Sequence, residues 1–499
     1  MNDIKEIYSL LDNPTENDKE LIRKAYDFAS KAHEGQKRKS GEPYFNHVFA
    51  TAKNIAELHM TTTPIVAGFL HDTLEDTQVS PEEIEKEFGN EILFLVESVT
   101  KLGGIRFKGT DRYNESLRKL FVAMSQDIRV LIIKLCDRLH NIQTLEYVPK
   151  EKQLRIAKET LEIYAPIANR LGIKKLQREL EDLSFPYVYP AEYLETKKIM
   201  GAKRESVEKE LDKFEKLLKK ELAQNDIINF HMDHRVKGMY SLYKKLQKYK
   251  GDVEAIYDIS ALRVIVPEVS DCYRVLGIVH GIWRPLPERI KDYIASPKLN
   301  GYRSIHTTIF TGDGNIIEVQ IRTEEMHKEC EFGIASHISY KAGNSNGATP
   351  NMAWLAKILP KKKADTSASK NELLSKDVPT WIRDLVDYQK VAGDDFVENI
   401  KSDFLEERIF VFTPKGDVID LPKDSSVIDF AYSIHSDIGN HLASAKVNGK
   451  FVSIHTTLHN GDRVEIEVKK SSKPNRKWIE FCKTNMAKRR IASYLENNK

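Results

Sequence analysis

Two short runs in the first third of the chain can be assembled into one metal site. In His71-Asp72-Thr73-Leu74-Glu75-Asp76 an imidazole and a carboxylate are adjacent, and two more carboxylates follow one helical turn later. In Asp137-Arg138-Leu139-His140-Asn141 an acid and an amide stand at i and i+4. Helical neighbours at these spacings share a face, so each run can aim its polar groups into one cleft. His47, after the loop Arg38-Lys39-Ser40-Gly41-Glu42-Pro43, adds a second imidazole. Two imidazoles and two carboxylates suit a first-row divalent metal such as manganese, with open positions left for water. Acids and histidines can also simply dot solvated helix faces. The apolar flanks, Ile65 to Leu70 and Val130 to Leu135, argue against that reading, because polar groups sunk among core residues need a partner.

A second constellation lies further along. Arg235, Lys237, Lys245, Arg263, Lys298 and Arg303 are cations that can gather around phosphates. Asp258 is read as beginning one strand and Glu318 as lying within another, so the two can face each other across a sheet and hold magnesium. The chemistry these residues suggest is phosphoryl or nucleotidyl transfer. No Walker A sequence and no kinase glycine-rich loop is present, which disfavours those two classes. A solvated basic surface explains Lys216 to Lys220 well, but fits the Tyr- and Gly-interleaved block 289–308 poorly.

The elements that must position these residues fall into regions. Residues 1–195 read as nearly all helix: Leu21, Ala25, Phe28, Ala29 and Ala32 recur at helical spacing, as do Leu117, Leu120, Phe121 and Met124. Pro81 followed by two acids reads as a helix start, and Pro186 with Pro190 as a break. Residues 196–341 begin with a charged amphipathic helix, Ala202 to Leu222, and continue as a mixed α/β domain. Leu262 to Val266 and Ser304 to Phe310 read as strands, and Thr311 to Asn315 as a hairpin turn into an alternating strand, Ile316 to Arg322. Residues 342–404 read as a linker with helices, low in complexity over Gly343 to Lys376, with a helix at Trp381 to Ile400. Residues 405–470 carry turn signals at Pro414-Lys415-Gly416-Asp417, Asn448-Gly449 and Asn460-Gly461-Asp462 between short strands, with one helix around Val427 to His435. That pattern suggests a β-grasp fold. Residues 471–499 read as the start of a basic helical region.

At 499 residues the chain accommodates three or four domains, and its net charge of +3 points to no strong field for nucleic acid or membrane. Met1 to Leu11 carries acids and only a short apolar stretch, so no secretory signal is expected. No apolar run approaches the roughly twenty residues that span a bilayer. The four cysteines are far apart and form no Cys-x-x-Cys pair, so reduced thiols in the cytoplasm are expected.

These blocks, in this order, resemble the long RelA/SpoT homologues, the bifunctional alarmone synthetase/hydrolases. The resemblance covers roughly residues 20–490. It is carried by Arg-Lys-Ser-Gly-Glu-Pro-Tyr, His-Asp-Thr-Leu-Glu-Asp-Thr, Lys-Leu-Cys-Asp-Arg-Leu-His-Asn and Lys-Asp-Tyr-Ile-Ala-Ser-Pro-Lys-Leu-Asn-Gly-Tyr. It implies an all-helical HD-type hydrolase, a nucleotidyltransferase-like α/β synthetase and a TGS domain. On that resemblance His47, His71, Asp72 and Asp137 bind manganese, and Glu75 and Asp76 position and activate the attacking water. Arg38, Lys39, Ser40, Asn141 and Thr144 hold guanosine tetraphosphate or pentaphosphate. In the synthetase, Arg235 stacks on adenine and Lys237, Lys245 and Arg263 meet ATP. Asp258 and Glu318 hold magnesium, with Glu318 the base for the acceptor 3′-hydroxyl. Tyr302 stacks on the guanine of GDP or GTP, near Lys298, Asn300, His306 and Gln320. Arg289-Ile290-Lys291-Asp292 matches the basic variant that accompanies bifunctional members. His435 matches a tRNA-contacting histidine, so deacylated tRNA and the ribosome are implied partners. A histidine closing a helix is the plainer account of the same residue, because imidazolium suits a helix C-terminus.

Two positions depart from the family pattern: Val48 stands where proline is usual, and Ser339 where tryptophan is usual. The chain stops at Lys499, before the family's later zinc-finger and ACT-type modules, which leaves a truncated form and a naturally short member both open. Two rivals also stand at this point. One is a hydrolase-dominant member with a weak or silent synthetase; the other is a non-catalytic tRNA-sensing module.

Overall fold

The computed structural model describes residues 3–103, 127–253, 256, 260–287, 289–297, 302–311, 316–333, 335 and 408–497. The chain divides into two compact units, Met1–Arg106 with Val122–Asp377, and Phe107–Phe121 with Val378–Lys499. The expected helix at Leu117 to Met124, the 343–376 linker and the helix Trp381 to Ile400 lie outside the described residues. No helix among the described residues is long and apolar enough to cross a membrane.

The first unit opens with helices α1 (Ile4–Tyr8), α2 (Glu16–Ala32), α3 (Phe45–Ala56) and α4 (Thr62–Leu70). The short α5 (Thr73–Asp76), then α6 (Pro81–Phe88), α7 (Asn90–Gly103) and α8 (Ile128–Gln143) follow. A turn of π-helix, Thr160–Tyr164, joins α9 (Lys150–Glu159) to α10 (Ala165–Arg170), and α11 (Lys174–Val188) completes the region. Local chemistry sets the boundaries. Thr15 and Asp18 cap α2 reciprocally, as Ser80 and Glu83 cap α6, where Pro81 occupies the first turn. The apolar run Val130 to Ile133, with Leu135, is wholly buried in α8, which leaves Asp137 as a carboxylate deep in the packing.

Pro186 does not end its helix; it lies inside α11. Phe185 is fully buried among the rings of Tyr193, Tyr240 and Tyr243, and this packing overrides the local bias against helix before proline. The joint falls at Tyr189 (φ −133°), ahead of Pro190, which opens the 35-residue α12 (Pro190–Gln224). The amphipathic stretch read over 202–222 is the second half of α12, and its Leu211, Phe214, Leu218 and Leu222 are buried.

A five-stranded mixed sheet follows, with spatial order β1-β2-β5-β4-β3. Its strands are β1 (His231–Val236), β2 (Ser260–Val266), β3 (Lys291–Asp292), β4 (Ile305–Phe310) and β5 (Ile316–Thr323), accompanied by helices α13 (Met239–Lys248), α14 (Val269–Ile282) and α15 (Glu324–Phe332). β2 and β5 pair in parallel and the other neighbours are antiparallel. Side chains alternate across a strand. Leu262, Val264, Val266, Val319 and Ile321 therefore face one way, into a core with Val275 and Val279 of α14 and the apolar side of α12. Arg263, Glu318, Gln320 and Arg322 face the other way. β5 does not alternate in exposure as expected: only its first residue is less than buried, because its polar face closes over a cavity instead of meeting solvent.

The second unit holds the hairpin β6 (Arg408–Phe412) and β7 (Val418–Pro422), then α16 (Val427–Ile434) and α17 (Ser436–Asn440). Strands β8 (Leu442–Val447), β9 (Lys450–Val452) and β10 (Val464–Val468) form a second sheet, ordered β10-β8-β9. Asn448 and Gly449, with φ of 52° and 81°, make the β8–β9 turn as their sequence demands. The basic stretch after Val468 is partly structural. Trp478 of α18 (Trp478–Phe481) and Ala487 and Ile491 of α19 (Asn485–Asn497) join the core, and Arg490 donates to the Tyr432 carbonyl.

Candidate active sites

Three helix packings converge on the first site. His47 comes from α3, His71 and Asp72 from the joint between α4 and α5, and Asp137 from α8. His47 Nε2 lies 3.3 Å from Asp72 Oδ2 and 3.3 Å from Asp137 Oδ1. His71 Nε2 lies 3.2 Å and 3.8 Å from the same two oxygens. Gly68 of α4 lies close against α3, where a Cβ would sit 2.5 Å from Ile55 Cδ1 and 3.3 Å from Ala52 Cα.

The donor set fits a divalent cation. His71 Nδ1 faces the Gly68 carbonyl at 2.8 Å and so carries the proton, leaving Nε2 as a buried lone pair with no hydrogen-bond partner. A lone pair aimed at two carboxylates is repulsive unless a cation or a proton lies between them. With a proton there, the His71 imidazole is pushed up to about 10: burial alone would lower it, but the Asp72 and Asp137 carboxylates overcome burial.

Several expected substrate residues surround these ligands. Asn141 Nδ2 donates to Asp137 Oδ1 at 2.5 Å. Arg38 reaches Asn141 Oδ1 (2.6 Å) and Thr144 Oγ1 (3.1 Å). Lys39 is exposed, and Ser40 Oγ accepts from the Glu42 amide at 3.4 Å. Glu75 and Asp76 stand exposed at the mouth. Partial burial, then the charges of Asp72 and Asp76, raise the Glu75 carboxyl above its usual range. Three neighbours escaped the sequence reading. Lys134 binds Asp137 at 2.6 Å, and His140 adjoins His47. The Tyr44 hydroxyl lies 2.8 Å from Asp72 and 2.7 Å from Asp76, which share its single proton. Lys134 and His140 stand three residues either side of Asp137 on α8, a spacing that could have flagged both.

The second site is a cavity of about 550 Å³ on the polar face of the sheet, lined by Arg235, Lys237, Lys245, Arg263, Arg289, Lys291, Tyr302, His306, Glu318 and Gln320. His306 Nδ1 lies 2.8 Å from Glu318 Oε1, Gln320 Nε2 donates to the same oxygen at 2.9 Å, and the Tyr302 hydroxyl meets His306 Nε2 at 2.6 Å. A carboxylate only accepts, so His306 carries its proton on Nδ1 and Tyr302 donates to Nε2. Burial pushes the Tyr302 phenol up to about 12, which keeps that donor proton in place.

Arg263 lines the cavity but is already paired, with Asp233 (3.0 Å) and Glu331 (3.2 Å). Other expected members fall elsewhere. Arg303 turns to Glu329 at 2.7 Å and does not line the cavity. Asp292 accepts from the amides of Ile294 and Ala295 and so shapes its turn. Asp258, Lys298 and Asn300 lie outside the described residues.

Arg322 is a cavity residue that the reading missed. Its side chain is 1% exposed, its three nitrogens have no hydrogen-bond partner, and Glu331 is 3.8 Å away. The spacing Glu318-x-Gln320-x-Arg322, with its strand period of two, carried that signal. Lys174 and Arg178 of α11 also line the cavity, so the helical region supplies one of its walls.

In the second unit His435 takes an extended backbone (φ −163°) between α16 and α17. Its Nδ1 accepts the Asp437 amide at 3.2 Å, capping the N-terminus of α17. His435 also closes α16 as the sequence suggested, its own amide donating to the Ala431 carbonyl, but its side chain serves the following helix through an Nδ1 lone pair.

Comparison with known proteins follows the same three-part division. The HD domain profile matches residues 25–174, the region found in RelA / SpoT proteins matches 234–345, and the TGS domain matches 409–467. A guanosine-3′,5′-bis(diphosphate) 3′-pyrophosphohydrolase of Borreliella burgdorferi is 39% identical over 100% of this chain and 72% of its own length. The chain belongs to the RelA/SpoT family. Two further RelA/SpoT relatives carry different names. A GTP pyrophosphokinase of Myxococcus xanthus is 42% identical over 96% of this chain, and a probable guanosine-3′,5′-bis(diphosphate) 3′-pyrophosphohydrolase of Synechocystis is 42% identical over the same share. The chain spans 61% of the length of each of these two. The three domains expected of a RelA/SpoT protein are all present: a helical HD domain, a mixed-sheet domain matching the region found in RelA / SpoT proteins, and a small TGS domain.

Proposed function

We propose that the chain is a bifunctional alarmone enzyme. It transfers the β,γ-pyrophosphoryl group of ATP to the 3′-hydroxyl of GDP or GTP, and it hydrolyses the resulting tetra- or pentaphosphate to GDP or GTP and pyrophosphate. One observation carries this reading: a buried His47/His71/Asp137 donor cluster, with Asp72 against both imidazoles, and a cation-rich cavity that includes Glu318 stand together in one compact unit.

In hydrolysis His47, His71, Asp72 and Asp137 would hold manganese, which the mixed imidazole and carboxylate donors suit. When bound, the metal supplies Lewis acidity at the scissile phosphate and makes the attacking water more acidic. Glu75 and Asp76 orient that water at the mouth, and the raised Glu75 carboxyl suits it to take and return a proton. Arg38, Lys39, Ser40, Asn141 and Thr144 hold the guanosine substrate.

In synthesis Arg235 stacks on adenine, and Lys237, Lys245 and Arg263 neutralise the ATP phosphates. Magnesium enters with ATP and would be held by Asp258 and Glu318. Tyr302 stacks on guanine beside Lys298, Asn300, His306 and Gln320, and Glu318 accepts the 3′-hydroxyl proton. Arg289 and Lys291 add positive charge to the cavity wall, and Asp292 sets their turn. In-line displacement of this kind is mostly positioning and charge neutralisation. The TGS domain meets deacylated tRNA and the ribosome through His435, and the enzyme works in the cytoplasm, where its nucleotides are.

Two incubations test the proposal. ATP, GDP and magnesium should yield AMP and the tetraphosphate, and the tetraphosphate with manganese should yield GDP and pyrophosphate. Failure of either half removes that activity from the reading.

A further inference from the structure

We infer that His140 is a positioning residue of the hydrolytic site, whose Nδ1 lone pair fixes the tautomer of His47. Two groups converge on that one nitrogen: Arg38 Nη1 at 3.0 Å and His47 Nδ1 at 2.8 Å. A guanidinium nitrogen only donates. His140 Nδ1 is therefore the acceptor and its proton sits on Nε2. Two lone pairs cannot bond, so His47 Nδ1 is the N–H. The other His47 nitrogen, Nε2, then carries the lone pair, and it is the one that faces Asp72 and Asp137.

The two imidazoles of the donor set are thus locked by different devices: His71 by the Gly68 carbonyl, His47 by a neutral imidazole. Arg38 holds the second lock closed. Its guanidinium is pinned by Asn141 and Thr144 and cannot turn to release His140. A carboxylate at position 140 would orient His47 equally well, but would add a third negative charge beside Asp72 and Asp137. An imidazole orients without that charge. Outer partners of this kind contribute about 10- to 100-fold to metal affinity.

The inference rests on the donor set being a metal site, and manganese alone is the probe. Titrate the full chain and its His140 variants with Mn²⁺, following free ion by electron paramagnetic resonance, with melting in chelator as the control for folding. His140→Asn keeps an acceptor oxygen near the Nδ1 position and should bind within about threefold of the parent. His140→Gln, whose amide lies where Nε2 was, should weaken binding about 10- to 100-fold, and so should His140→Leu. If the leucine variant fails to fold, the contrast between asparagine and glutamine decides. A parent that binds no Mn²⁺ overturns the metal site and this inference together. A parent that binds, with both polar variants alike, overturns the inference alone.

Discussion

On the proposed reading, Glu318 and Asp72 are the residues on which the two chemistries would divide. Glu318→Gln keeps shape and the hydrogen bonds of its neighbours but removes the proton acceptor, so synthesis should fall at least about 100-fold (about 2.7 kcal/mol) while tetraphosphate hydrolysis persists. Asp72→Asn should do the reverse by weakening the donor set. Product analysis with labelled ATP and labelled tetraphosphate checks both, and loss of both activities in one folded variant would sink the two-site assignment. Metal stripping should act on the same line: a manganese chelator in magnesium buffer should stop hydrolysis alone. At His435 the observed cap implies that His435→Ala exposes the Asp437 amide and costs about 1 kcal/mol in the TGS unit. The proposed tRNA contact adds a second effect, weaker binding of deacylated tRNA by the folded variant; stability loss with unchanged tRNA binding would leave His435 as a cap alone. Much of the first site was legible because His71, Asp72 and Asp137 sit amid apolar flanks, where polarity needs a reason. The spacing of Lys134, His140 and Arg322 puts each on a face with a named site residue, but only contacts across the fold give those ordinary residue types a role there.

Among the elements, α11 does the most to join the regions. It packs against α8, which carries Asp137, and lends Lys174 and Arg178 to the cavity on the polar face of the sheet. Its Asp182 also caps a foreign helix: Gly238, at the start of α13, has no side chain to do so, and Asp182 Oδ1 accepts the Tyr240 amide at 2.9 Å. Gly238 is needed for that approach, since a Cβ there would lie 2.9 Å from Asp182 Oδ2. Asp182→Ala should cost about 1 kcal/mol and raise the KM for ATP, because α13 carries Lys245; urea melts and initial rates report the two effects. Gly333 closes α15 at φ +52°, where a Cβ would fall 2.3 Å from the Leu171 carbonyl. Gly333→Ala should therefore destabilise the first unit by about 2–4 kcal/mol, read as a lower urea midpoint. The helix and strand types were legible from periodicity and turn residues. The Pro186 break was not, because burial of Phe185 holds the helix through it.

At the scale of the molecule, two opposed activities on one chain would only consume ATP if both ran freely. α11, which lines the second cavity and packs against α8, is the element through which coupling would run, so GDP with a non-hydrolysable ATP analogue should slow tetraphosphate hydrolysis. A tenfold effect needs only about 1.4 kcal/mol of differential binding, and an unchanged rate at saturating nucleotide would exclude such coupling. The division into three domains was legible from motif order, whereas the union of the first two in one unit was not, since it rests on contacts between residues far apart in sequence. The thiols described above lead to an experimental consequence. Cys136 lies in α8, Cys272 in α14, Cys330 in α15 and Cys482 beside α18, all free and buried. Burial raises the thiols of Cys136 and Cys482 and pushes that of Cys272 up to about 12, so none of these three reacts readily in the closed state. Cys136, Cys272 and Cys482 can be alkylated only when their own regions open, whereas Cys330 lines the cavity and reports access to it. The chain therefore carries native clocks for the breathing of every domain, and mapping the modified peptides over time would rank the openings without inserting a single label.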